Sequence, residues 1–87
     1  MKHFATPEFW HYYRQLPAEV RRLADQKFEL LKADLRHSSI RLKKIGPFWS
    51  AWIGLHYRAL AKERLDGLVW FWIGSHSAYD KFKRTHP

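Results

Sequence analysis

The chain has 87 residues, a formal net charge of +8 and no Cys. This length allows one domain over residues 1–87 and leaves no room for a second. Without Cys, neither disulfide bonds nor a cysteine metal site can hold the fold, which fits a reducing cytoplasm. Residues 1–8 lack the apolar core of a signal peptide, and the apolar run 68–74 is too short to span a bilayer. We therefore expect a soluble, cytoplasmic protein that has no membrane partner.

A small domain needs a dense core, and five Trp, four Tyr and six Phe can supply it. Some of these rings can instead be exposed for contact with a partner, and composition does not separate the two uses. The six His do not follow a metal-binding spacing such as His-Glu-x-x-His. The sequence therefore predicts no metal site and no cofactor.

The charges are unevenly distributed along the chain. No acidic residue occurs between residues 35 and 62, a segment that we call the basic strip. Its cationic residues are Arg36, Arg41, Lys43, Lys44, Arg58 and Lys62. A field of one sign attracts polyanions and suits phosphate backbones, although a solvated surface is the alternative interpretation. The strip favours binding to a polyanion, and RNA is the best candidate.

The N-terminal part predicts a strand and two helices. Residues 2–5 form a short strand, and a helix over residues 7–15 begins with Thr6 as N-cap and Pro7 in its first turn. A second helix extends over residues 17–35, where apolar residues repeat with a period of 3.6. The two helices predict a helical hairpin.

After residue 36 the pattern changes to strands separated by turns. The predicted strands cover residues 41–45, 49–54, 56–63 and 68–73. The turns lie at Gly46-Pro47, at Gly54-Leu55 and at Asp66-Gly67. Residues 77–84 form a short helix or an extended tail. The predicted class is α+β, with an N-terminal strand and a two-helix hairpin packed on one face of an antiparallel sheet.

Alternation along the strand 56–63 separates two faces. Tyr57, Ala59 and Ala61 suit packing beneath helices. His56, Arg58, Leu60 and Lys62 share the other, open face. Trp52 of the neighbouring strand belongs to that open face, where it can stack on a base or pack under the C-terminal tail.

A second cluster follows the most apolar strand. His76 can exchange a proton near neutral pH, Tyr79 can donate a hydrogen bond, and Asp80 can orient a His or Arg. A loop after a buried strand is a rigid support for such side chains. A site requires that His76 and Tyr79 converge with Arg58, which the sequence permits.

Four segments resemble the RelE/ParE toxin superfamily, in the same order and over nearly the whole chain. They are QLPAEV at residues 15–20, LKADLRHSSI at 31–40, YRAL at 57–60 and WIGSHSAYD at 72–80. The resemblance implies a toxin of a bacterial type II toxin–antitoxin system, neutralised by a cognate antitoxin. RelE-like members cut messenger RNA in the ribosomal A site without a metal, whereas ParE-like members inhibit DNA gyrase. A non-catalytic RNA- or protein-binding member is a third possibility.

The resemblance also implies roles for individual residues. Arg58, His76 and Tyr79 become the catalytic candidates: Arg58 neutralises the scissile phosphate, His76 is general acid or base, and Tyr79 orients or protonates. The predicted RNA-binding residues are Arg41, Lys43, Lys44, Trp52, His56 and Lys62. Relatives often have Arg where this chain has Trp52, and we expect no Glu near the basic strand to act as a base.

Overall fold

A computed structural model describes residues 2–34 and 36–85. Within these residues the elements are β1 Lys2–Ala5, α1 Pro7–Arg14, α2 Ala18–Ala33, β2 Lys43–Ile45, β3 Phe48–Trp52, β4 Tyr57–Arg64, β5 Gly67–Ser75 and α3 His76–Thr85. The strands form one five-stranded sheet in the order β1-β5-β4-β3-β2. The α+β class is therefore confirmed. In the described parts of the chain, no helix has the length and apolar character needed to cross a membrane.

The two N-terminal helices begin where the sequence predicts. The Thr6 Oγ1 accepts a hydrogen bond from the backbone N–H of Phe9 at 3.1 Å. Pro7 occupies the first turn, where a helix needs no backbone donor. The second helix ends at Ala33; Leu35, to which the prediction extended it, lies outside the described residues. The predicted helical hairpin is confirmed.

The first strand adds one parallel pair to the antiparallel sheet that the sequence predicts. The ladders β2–β3, β3–β4 and β4–β5 are antiparallel. By contrast, β1 pairs with β5 in parallel, with Lys2 opposite Gly67 and Ala5 opposite Trp70. The residue pattern does not reveal this direction, because the chain between β1 and β5 is a long crossover rather than a tight turn. The pairing places β5 inside the sheet, which suits its nearly continuous apolar sequence.

The hairpin of β2 and β3 is shorter than predicted. β2 begins at Lys43 because Arg41 has a φ of 49°, a left-handed conformation that interrupts a strand. Gly46 has a φ of 56° in the turn, where a residue without Cβ is unstrained. β3 starts at Phe48 directly after this turn and ends at Trp52.

The helical hairpin covers one face of the sheet with the main core. The buried residues of this core are Phe9, Leu16, Ala24, Leu31, Ile40, Ala51, Ile53, Ala59, Ala61, Leu68, Trp70 and Ile73. The small side chains of Ala59 and Ala61 allow the helices to approach the middle of the sheet. Larger rings fill the space beside β5, where Phe28 meets Trp70 edge-on with centroids 5.2 Å apart. The predicted helix-covered face of β4 is thus confirmed.

The opposite face is partly covered by α3, so the prediction of an open face is wrong at Leu60, whereas Lys62 is exposed. Leu60 of β4, Trp72 of β5 and Tyr79 of α3 form a second buried cluster, with Phe71 and Phe82 packed against it. A β-bulge in the β4–β5 ladder directly after Leu60 places Phe71 and Trp72 on this face together. The C-terminal segment is therefore a helix that covers part of the second face of the sheet.

A histidine in β1 links the stability of the fold to pH. The Nδ1 of His3 accepts a hydrogen bond from the Nε1 of Trp70 at 3.1 Å, and the two rings stack with centroids 6.3 Å apart. Burial lowers the pKa of His3 below its ordinary value, because the charged imidazole loses hydration. Protonation also occupies the nitrogen that accepts from Trp70.

We expect the free energy of unfolding to fall as the pH is lowered through about 6.5, the ordinary pKa of His. The unfolded chain binds a proton in this range more readily than the folded chain, so stability increases with pH. Urea unfolding at a series of pH values measures this slope. His3→Gln should flatten it, whereas His11→Gln, a change at an exposed His of α1, should retain it. Equal slopes for His3→Gln and the unmodified protein would contradict the assignment.

Candidate functional site

The candidate site lies at the end of the sheet where β3 leads into β4 and β5 leads into α3. In the β4–β5 ladder, Arg58 lies opposite Gly74. Two residues later, the backbone N–H of His76 donates a hydrogen bond to the carbonyl oxygen of His56 at 2.7 Å. The register of the two strands therefore brings Arg58, His56 and His76 to the same end of the sheet.

Arg58 is buried and hydrogen-bonded to the backbone, whereas the sequence predicts an exposed side chain on an open face. Its side chain is buried, with only 5% of the residue exposed. Its Nη1 donates hydrogen bonds to the carbonyl oxygens of Gly54 at 3.1 Å, Leu55 at 3.3 Å and Tyr57 at 2.8 Å. The guanidinium group therefore holds the loop between β3 and β4 in place, in addition to any contact with a ligand.

The charge of Arg58 is fixed near the residues of α3. Burial lowers the pKa of Arg58; Tyr79 and Asp80 oppose this shift, whereas the positive charge of Arg41 adds to it. An Arg keeps its proton at neutral pH despite such a shift. A permanent positive charge thus lies close to Tyr79 and Asp80.

His76 and Tyr79 converge in the first turns of α3. The Ser75 Oγ caps this helix by accepting a hydrogen bond from the backbone N–H of Ala78 at 3.1 Å. The exposed His76 ring lies with its Nε2 3.5 Å from the Asp80 carboxylate and its centroid 6.1 Å from that of Tyr79. Tyr79 is buried, so it suits orientation of the imidazole, whereas His76 is the group that a ligand can reach.

Trp52 is half-buried between two arginines. The Cζ atoms of Arg41 and Arg58 each lie 4.1 Å from the centroid of the Trp52 ring. Arg58 is the partner of Trp52 across the β3–β4 ladder, while Arg41 precedes β2 on the other side of β3. The indole therefore lies between the two guanidinium groups. A base could stack on Trp52 only by displacing one of them.

Lys43 and His56 lie on or beside the same face as Arg58. Lys43 is opposite Ser50, and Ser50 is opposite Leu60, which α3 covers. Directly opposed residues share a face, so the exposed Lys43 side chain belongs to the face of Arg58. His56 is exposed in the loop that precedes β4. These two predicted contacts are therefore available to a ligand at this end of the sheet.

Lys62 lies farther along β4, above an aromatic surface. Its Nζ is 5.8 Å from the ring centroid of Phe48 and 5.6 Å from that of Phe71. These distances are typical of a cation–π contact at an exposed site. Lys62 can therefore extend the positive surface but does not join the cluster around His76.

Lys44 is separated from the site, since it belongs to the helix-covered face. It lies opposite Trp49, and its Nζ is 3.4 Å from the Oε1 of Glu63. The indole N–H of Trp49 donates to the same oxygen at 2.5 Å, and this hydrogen bond is the main reason why the pKa of Glu63 is lowered. The expectation that no Glu lies near the basic strand is therefore wrong.

The sequence does not indicate that Glu63 lies near β2, because this proximity depends on the pairing of β4 with β3 and of β3 with β2. It lies on the other face of the sheet from Arg58, so it is not placed to act with His76. In residues 2–34 and 36–85, no three His, Cys, Asp or Glu side chains lie close enough together to hold a metal ion.

The fold recurs in solved structures of low sequence identity. One chain of the RelB–RelE antitoxin–toxin complex from Methanococcus jannaschii aligns with a TM-score of 0.68 and 18% identity, over 91% of this chain and 98% of that chain. A copper-bound mutant toxin from Helicobacter pylori aligns with a TM-score of 0.63 and 17% identity, over 90% of this chain and 97% of that chain. The chain has a RelE-like fold. No protein-family model matches the sequence, and comparison with curated proteins finds no match.

We expect Arg58→Met to lower the free energy of unfolding by about 2–4 kcal/mol, because three backbone carbonyls lose their charged donor. Arg36→Met, a change at an exposed Arg of the basic strip, should alter it by less than about 0.5 kcal/mol. Urea unfolding measures both values. A loss of similar size for the two variants would contradict the structural role of Arg58.

Proposed function

We propose that this protein is the toxin of a toxin–antitoxin pair and that it acts as a ribosome-dependent endonuclease. In this proposal it cuts messenger RNA without a metal and thereby inhibits translation. The RelE-like fold supports the proposal, and so does the resemblance of four sequence segments to the RelE/ParE superfamily. The nuclease activity is the more specific part, and it needs support from the site itself.

The observation that carries the nuclease proposal is the position of His76. Its exposed imidazole stands at the end of the sheet where Arg58 is buried, next to Tyr79 and Asp80. Lys43 adds an exposed positive charge on the same face. This combination offers one group for proton transfer and several cations for a phosphate, which is what RNA cleavage requires.

The proposed reaction is attack by a ribose 2′-hydroxyl on the adjacent phosphorus. The bond from the 2′ oxygen to phosphorus forms and the bond to the 5′ oxygen breaks, leaving a cyclic phosphate and a free 5′-hydroxyl. His76 accepts the proton of the attacking hydroxyl or donates one to the leaving oxygen, and Tyr79 orients the imidazole or takes part in the second transfer. The charge of Arg58 stabilises the additional negative charge on the phosphate oxygens in the transition state.

We further propose a cognate antitoxin as the protein partner. The similar chain from Methanococcus jannaschii comes from a RelB–RelE antitoxin–toxin complex. A net charge of +8 favours a partner with an acidic segment, since complementary charge accelerates association. In this proposal the antitoxin covers the surface that otherwise meets RNA on the ribosome.

Induction of the chain in a bacterium should stop translation and produce cleaved messages. Because general acid–base catalysis contributes roughly 100- to 10,000-fold, His76→Ala should reduce cleavage by a factor in this range. Primer extension on messages isolated after induction maps the cuts and measures their frequency. The matched control is His11→Ala, which removes an exposed imidazole from α1 and should leave cleavage unchanged.

Two results would overturn the nuclease proposal. Intact messages together with a DNA-damage response would favour the ParE-type alternative, a gyrase inhibitor without nuclease activity. Equal cleavage by His76→Ala and the unmodified chain would exclude the imidazole from the chemistry.

A further inference from the structure

The stack of Arg41, Trp52 and Arg58 has a geometry that neither the core nor the proposed chemistry at His76 requires. Each guanidinium carbon lies 4.1 Å from the centroid of the Trp52 ring. Arg58 is the β4 partner of Trp52. Arg41 follows Ile40, to which Trp52 hydrogen-bonds on the other side of β3. An indole is the best aromatic partner for a cation, and a guanidinium group can lie flat on it. The two cations are therefore held at a fixed separation by one rigid ring.

The backbone holds Arg41 in position as well. Arg41 has a φ of 49°, which is costly for a residue with a Cβ and is retained only where the surroundings impose it. The preceding residue, Ile40, is fully buried, and its carbonyl oxygen accepts a hydrogen bond from the backbone N–H of Trp52 at 2.6 Å. Arg41 is thus tied to the residue on which its side chain stacks.

The two positive charges of the stack lack a direct ion pair within the described chain, although the Asp80 carboxylate lies close enough to raise the pKa of Arg58 against the lowering by burial. Among the described residues, neither Arg41 nor Arg58 forms an ion pair with a carboxylate. Like charges brought close together repel each other, so the arrangement disfavours the free state and favours a bound anion. The stack therefore has the electrostatics of an anion site.

The two arginines differ in what they can offer to a ligand. Arg58 is buried and spends its Nη1 on the carbonyls of residues 54, 55 and 57. Arg41 is exposed, and its planar fork matches two oxygens of a phosphate. We propose that the stack is a phosphate clamp, in which Arg41 contacts an RNA phosphate and Trp52 is the positioning residue that aims it.

The clamp rests on the proposed function in taking RNA as its ligand, but it can be tested without cleavage. The probe is a short single-stranded RNA with 2′-O-methyl groups, which cannot attack its own phosphates. Arg41→Asn removes the charge while keeping a residue that tolerates the left-handed conformation. We expect its affinity to fall about tenfold, the effect of one charge-assisted hydrogen bond. The slope of log K against log salt should become less steep by about 0.7, the value for one contact with a single strand.

Trp52→Leu tests whether Trp52 positions Arg41 without changing the total charge, because the net charge stays at +8. If RNA binding depends only on the net positive charge, Trp52→Leu should leave the slope of log K against log salt unchanged. If Trp52 positions Arg41, the slope should become less steep by the same amount as in Arg41→Asn. The double variant should be no weaker than Arg41→Asn alone, since both changes remove the same contact. The matched controls are Arg36→Asn, which removes an unstacked charge of the basic strip, and Trp10→Leu, which removes an exposed indole from α1.

The stack itself has an independent signature in the unmodified protein. Side-chain protons of Arg41 should show upfield ring-current shifts by nuclear magnetic resonance, and these shifts should move when the RNA is added. Unshifted Arg41 protons would overturn the clamp even if Trp52→Leu failed to fold. Equal RNA affinities of Arg41→Asn and Arg36→Asn would overturn the clamp as well. The same holds if Arg41→Asn weakens binding of the antitoxin but not binding of the RNA. RNA binding through the clamp without message cleavage would instead refute the proposed function and keep the clamp.

Discussion

The pairing of β4 with β5 is the constraint on which both the core and the candidate site depend. One face of β4 carries small residues such as Ala59, so that the helical hairpin can pack against it. The other face carries Arg58, which this register places opposite Gly74, two residues before His76. Gly74 is needed there because a Cβ would come within 2.6 Å of the Trp72 ring. A shift of one residue would expose the core face and separate the arginine from the imidazole.

Local signals in the sequence were sufficient for most of the elements. Thr6 and Pro7 define the start of α1, and the turn after β2 needs the positive φ of Gly46. The parallel direction of β1 could not be predicted, since a short strand joined through a long crossover carries no local mark of its direction. The bulge beside Leu60 was also hidden, because it arises from how β4 and β5 fit together. For the same reason, the extent of the cover that α3 provides over the second face was not predicted, although packing of Trp52 under the C-terminal tail was one alternative.

In the candidate site, too, some features could be predicted from the sequence and others could not. Strand alternation indicates the face of Arg58, and the end of the apolar strand indicates the place of His76, although His76 begins α3 and does not lie in the predicted loop. The surroundings of Trp52 could not be inferred, because they depend on a left-handed Arg41 and on side chains from both sides of β3. The contact of Lys44 with Glu63 joins residues 19 positions apart on strands that are not neighbours. Such contacts require the complete sheet order, which a single sequence does not contain.

The sheet order also gives the lysines of the basic strip a second role. β2 is an edge strand of only three residues, and two of them are Lys43 and Lys44. A free edge offers unpaired backbone groups to other chains, and short length together with lysine side chains discourages such pairing. Lys43 and Lys44 therefore discourage pairing of this edge with another chain, in addition to any contact with an anion. If these lysines were replaced, weaker RNA binding could come from a lost phosphate contact or from pairing of the exposed strand edge with another chain. Arg41 lies outside β2, so its replacement tests the phosphate contact alone.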